Sequence, residues 1–155
     1  MRRALAFDTF QQVLAEIAEV RKAHRTTGNW TLAQICKHLA DSVNGSIDGF
    51  DLRQHRIKRT LFKRPLLWYT FRWGIPREYT VDPALTPPRE IDIEAALVEL
   101  TSAIERYTAH NGPLQAHPLF GKMPRATWDR VHLFHCAHHL SFVIPDGDRA
   151  PEETS

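Results

Sequence analysis

Four of the chain's nine histidines stand within eight residues, in Val131-His132-Leu133-Phe134-His135-Cys136-Ala137-His138-His139-Leu140. No Gly or Pro interrupts the sequence from Arg125 to Ile144, so the stretch predicts a helix. On a helix, residues three, four and seven apart share a face. His132, His135 and His139 then form one stripe, with His138 at its edge. An imidazole pair spaced i, i+4 can place two ring nitrogens on one metal ion. The competing reading is a set of solvated or hydrogen-bonded histidines. It suits a single histidine better than four beside Leu and Phe, because buried imidazoles need partners for their nitrogens.

The elements that must position these residues read as helices. Asp8 caps the first, with Gln11 as its capping-box partner, and Phe10, Val13, Leu14, Ile17 and Val20 recur at helical spacing. Thr26-Thr27-Gly28-Asn29 is turn chemistry. Thr31 and Gln34 form a second capping box, with Trp30 as a hydrophobic staple for Ile35. Leu32, Ile35, Leu39, Val43 and Ile47 make that helix's buried stripe, with His38 at its margin. Asp92 opens a third helix through Leu97, Leu100 and Ile104, and Asn111-Gly112-Pro113 stops it near His110. The fourth begins about Pro124, a favourable first-turn residue, and runs through Phe142 to Pro145-Asp146-Gly147. No strand is predicted.

Between helices two and three, residues 51–90 combine the basic cluster His55-Arg56-Ile57-Lys58-Arg59 and Lys63-Arg64 with a dense aromatic stretch around Trp68 and Trp73. A connection of this length is unusual in a small domain and suggests a lid or a dimer contact. The fold class expected is therefore all-α, a four-helix bundle with a long helix 2–helix 3 crossover. It occupies residues 1–145, with 146–155 as a polar tail.

The totals exclude several classes. At 155 residues the chain is one domain by size, and 43% apolar content with 25% charge is ordinary for a globular protein. A formal net charge of +2 is too small to argue for nucleic acid. No apolar run approaches the length of a membrane span. Two cysteines, Cys36 and Cys136, do not make a disulfide framework, and both read as small core residues. A reducing, cytoplasmic location is the default expectation. There is no Gly-rich phosphate loop, CxxC pair or Ser-His-Asp order.

Two segments resemble those of the DinB-like superfamily. Trp30-Thr31-Leu32-Ala33-Gln34-Ile35-Cys36-Lys37-His38-Leu39-Ala40-Asp41 is similar to its second-helix segment. His135-Cys136-Ala137-His138-His139 is similar to its fourth, His-x-x-His-His. The loop His117-Pro118-Leu119-Phe120-Gly121-Lys122, then Trp128 and His139-Leu140-Ser141-Phe142, resembles one uncharacterised bacterial branch. The likeness runs from helix one to about Pro145 and is weakest over residues 51–90. It departs at Leu140-Ser141-Phe142, where many members have Arg-Gly-Gln.

The resemblance implies an up-down-down-up bundle with one divalent metal on His38, His135 and His139, and with His132 as a second-shell partner or substitute ligand. Zinc or nickel is the expected ion. Three protein ligands would leave open positions for water or substrate. Characterised relatives include thiol-dependent S-transferases and a thiol-dependent isomerase. The implied function is thus metal-assisted thiol transfer, with a low-molecular-weight thiol as a second cofactor and a homodimer as the assembly. Asp41, Asp129 and His132 are candidates to orient the ligands. Two alternatives remain open: a non-catalytic metal-binding or stress-response protein, and a structural bundle that dimerises through the Trp68–Trp73 aromatics.

Overall fold

The computed structural model describes residues 2–50, 69 and 86–145. Four helices and two short strands are complete within them: α1 (Phe10–Lys22), β1 (His24–Thr26), α2 (Leu32–Asp48), α3 (Ile93–Ala109), α4 (Arg125–Leu140) and β2 (Val143–Pro145). The basic cluster, the Trp68–Trp73 aromatics apart from Tyr69 and the polar tail lie outside the described residues. The described residues are mostly helical with a small two-stranded sheet.

The capping chemistry decides where the helices start. Thr31 accepts from the Gln34 backbone N–H while the Gln34 side chain accepts from Thr31 N–H, as the sequence predicts. Gln34 does more than close this box, because its buried Nε2 donates to Pro87 O at 2.8 Å and ties the start of α2 to the approach to α3. Asp92 caps α3 through Ala95 N–H at 2.7 Å. In α1 the cap is Thr9 with Gln12, one residue later than the Asp8–Gln11 register expected. Both registers satisfy the same three-residue spacing. Gln12 prevails by accepting from the N–H groups of both Asp8 and Thr9.

Side-chain pairs along the helices give their directions. Lys37 of α2 meets Glu99 of α3, and further along Asn44 and Asp48 meet Arg106, so α2 and α3 run the same way. A 17-residue helix rises about 26 Å, so the chain must travel back that far between them. Against α3, helix α1 runs in the opposite sense: Phe10 packs on Tyr107 while Arg21 pairs with Glu94. The start of α4 is also at the end of α3, where Arg125 donates to Tyr107 O and His110 O. Its other end returns to the start of α2, where His135 meets His38.

One core fills the space between the helices. Val13, Ile17 and Val20 meet Leu32, Ile35, Leu39 and Val43, with Leu97, Leu100 and Ile104 opposite and Trp128, Cys136 and Leu140 from α4. Each such side chain contributes about 1.5–3 kcal/mol on burial. Cys36 and Cys136 are buried free thiols, and burial pushes both up to about 12.

Two sequence expectations fail at the ends of α4. Pro124 is the N-cap rather than a first-turn residue, and it makes no side-chain capping bond. The helix stops at Leu140 instead of continuing through Phe142. Val143–Pro145 then pairs antiparallel with His24–Thr26, so two strands exist where none was expected. Thr27 N–H extends the ladder to Phe142 O at 2.8 Å. Arg3 clamps the same segment, donating from its backbone to Ser141 O and from Nε to Val143 O, while its guanidinium pairs with Glu16. No helix among the described residues is long and apolar enough to cross a membrane.

Candidate metal centre

His38 and the paired rings of α4 converge where the start of α2 faces the end of α4. His38 Nε2 and His135 Nε2 are 3.1 Å apart. One ligand-capable nitrogen from each of His38, His135 and His139 lies within 4.8 Å of the other two. The ring centroids are 5.0 Å apart for His38–His135, 4.8 Å for His38–His139 and 4.7 Å for His135–His139. Helical spacing brings the two α4 rings together, one turn apart. The contribution from α2 depends on tertiary packing.

These distances suit a shared cation. Zinc bound at 2.0–2.1 Å in a tetrahedral site spaces its ligand nitrogens by about 3.4 Å. The His38–His135 pair is already near that value. A third nitrogen within 4.8 Å reaches it by an adjustment of at most about 1.4 Å, within the freedom of a terminal imidazole torsion. The donor chemistry also fits. Burial holds His135 and His139 well below the usual imidazole pKa, and the neighbouring histidine rings lower them further. A neutral ring keeps the lone pair that a metal needs.

The remaining histidines are placed differently. His138 sets its ring edge against His139 and Phe142, outside the convergent group of three. His132 lies deeper, 1% exposed, between the edge of Tyr107 at 4.8 Å and the face of Trp128 at 5.0 Å. Among the described residues, neither His132 nitrogen makes a hydrogen bond, nor does Trp128 Nε1. Burial lowers the His132 pKa to about 3, with smaller contributions from His117 and Arg125.

The carboxylates expected to orient the ligands are engaged elsewhere. Asp41 takes Lys37 Nζ at 2.5 Å. Asp129 accepts from Tyr107 Oη at 2.7 Å and from Arg125 Nε at 3.0 Å. Arg125 also lies over the Tyr107 ring, 4.1 Å from its centroid, so this cluster fastens α4 to the end of α3.

Two residues have roles that the sequence reading missed. Trp30 reaches beyond a staple: its indole stacks on His139 at 5.5 Å and 7°, and meets His38 edge-on at 5.1 Å. An aromatic residue directly before the cap of a ligand-bearing helix was the available signal. His117 closes its own loop. Its Nδ1 accepts from Leu119 N–H at 3.0 Å and Phe120 N–H at 3.2 Å, which leaves the proton of the neutral ring on Nε2. His117 and Gly121 exchange both backbone hydrogen bonds, and Gly121 takes φ +73, a conformation open to glycine. Burial lowers the His117 pKa to about 4. The His-Pro-x-Phe-Gly pattern is therefore a self-capped turn whose imidazole packs on Phe120 and Trp128.

A family model described as "Protein of unknown function (DUF1569)" matches residues 1–146. No curated protein and no solved structure matches the chain.

Proposed function

The chain belongs to the DUF1569 family, and we propose that it binds one divalent metal ion on His38, His135 and His139 and uses it for thiol transfer or a related metal-assisted reaction. The observation that carries this reading is the convergence of three ring nitrogens from two helices within 4.8 Å. Imidazole ligands suit zinc and nickel, the ions expected here. Three protein ligands leave coordination positions for an exogenous group, as catalytic sites do and closed four-ligand sites do not. Bound there, such an ion supplies Lewis acidity that lowers the pKa of a coordinated water or thiol.

The chain's own contribution is placement. Helix α4 presents two rings one turn apart, which burial keeps neutral and ready to bind, and α2 presents the third. The thiol would be a small soluble one, and the electrophile would accept its sulfur. Helix directions support a DinB-like bundle, with residues 49–92 as the long crossover between two helices of the same sense. The test is metal content by mass spectrometry after purification without added metal. About one zinc or nickel per chain is expected, with loss in His135→Ala. Conjugation of a thiol to a chlorinated or epoxide substrate, abolished by chelator and restored by metal, would support turnover. Metal-free wild type that gains none on addition of zinc or nickel would reject the proposal.

A further inference from the structure

We infer that Trp30 is a positioning residue of the triad: its indole fixes the plane of the His139 ring and touches the His38 ring beside it. This rests on the metal-binding reading above. An imidazole turns easily about its outer torsion, so a ligand ring needs something to set its orientation. The usual device is a hydrogen bond from the second ring nitrogen to a carboxylate or carbonyl. Asp41 of α2 is committed to Lys37, and Asp129 of α4 lies ten residues before His139 and is committed to the Tyr107–Arg125 pair. Ring contacts hold His139 instead. Trp30 lies parallel to it at 7°, while His38, His135 and His138 meet it edge-on.

The backbone that carries the indole is held on both sides. Thr27, three residues before it, donates from N–H and Oγ1 to Phe142 O. Gly28 lies so close to the Phe142 ring that an added Cβ would stand 3.4 Å from it. Thr31, directly after Trp30, is locked in the capping box of α2. The β1–β2 pairing thus anchors the end of α4 and the indole to the same small sheet. Because Trp30 also touches His38, one side chain spans ligands from both helices.

Cobalt(II) is the probe, since it occupies tetrahedral imidazole sites and its visible bands report ligand geometry. Full-length wild type, Trp30→Phe and Trp30→Ala are titrated after chelator treatment, with thermal melting of each metal-free protein as the control for folding. Trp30→Ala should bind cobalt at least about 10-fold more weakly, with shifted visible bands, the size of loss seen when groups that orient ligands are removed. Trp30→Phe should retain the wild-type spectrum and come within about threefold of its affinity, because a phenyl ring can stack on the imidazole. Cobalt should quench the part of the tryptophan fluorescence that Trp30→Phe removes. If Trp30→Ala binds cobalt with wild-type affinity and spectrum, or loses melting temperature while its bands stay unmoved, the positioning role is overturned and metal binding stands. Wild type that takes up no cobalt overturns both.

Discussion

Replacing His132 with leucine should make the metal-free protein more stable, and more so in acid. His132 is 1% exposed, and neither ring nitrogen finds a partner among the described residues. Each unpaired buried polar atom costs about 1–3 kcal/mol. Leucine removes both. It also forfeits the contacts with Tyr107 and Trp128, each worth about 0.5–1.5 kcal/mol. The net gain at pH 7 is about 1–3 kcal/mol.

The pH dependence follows from burial, which lowers the His132 pKa to about 3 in the folded chain against about 6.5 unfolded. Between those values the unfolded chain binds a proton that the folded chain does not. Stability is therefore lost as pH falls below about 6.5, reaching about 2 kcal/mol from this group at pH 5. His132→Leu is free of that loss. For a chain of 155 residues, its melting temperature should exceed wild type by several degrees at pH 7, and the gap should widen by about 4–8 °C at pH 5. The assay is thermal unfolding of both proteins with chelator present at the two pH values. A variant less stable than wild type at both would refute the reasoning, because it would mean that the His132 nitrogens are satisfied.

Three further outcomes follow from the same contacts. Thr31→Ala should cost about 1 kcal/mol in urea unfolding, since it opens the capping box of α2, whereas Thr27→Ala should cost less because its backbone N–H still reaches Phe142 O. Arg125→Met should destabilise by about 1–3 kcal/mol, by releasing two carbonyls at the end of α3 and the Asp129 carboxylate together. Zinc at 100 times its dissociation constant should stabilise wild type by about 2.7 kcal/mol, read as a thermal shift, and should leave His38→Ala, His135→Ala and His139→Ala unmoved.

What the sequence reveals follows the range of the interactions. Capping boxes are local, so Thr31–Gln34 and the Asp92 cap are legible. Even there, Asp8–Gln11 and Thr9–Gln12 share one spacing, and only the structure chooses between them. The strands are three residues each, too short to show alternation, and their partners lie at opposite ends of the chain. Apolar residues from Leu140 to Ile144 continue a helical pattern that Arg3 and the pairing with β1 override. Periodicity also places His132 on the same stripe as His139, only about 20° around the helix. It says nothing of depth, and seven residues amount to about 10 Å along the axis. That distance puts His132 among Tyr107 and Trp128 while His139 meets His38. Pairing His38 with α4 came from the family resemblance, because periodicity within one helix cannot name a partner on another.

A crystal grown without added metal, with anomalous scattering measured on both sides of the zinc and nickel absorption edges, tests the metal centre most directly. A single peak is expected about 2.0–2.1 Å from one nitrogen each of His38, His135 and His139, with an exogenous ligand completing the coordination. Three rings hydrogen-bonded to one another with no anomalous peak between them, even after a zinc or nickel soak, would contradict it.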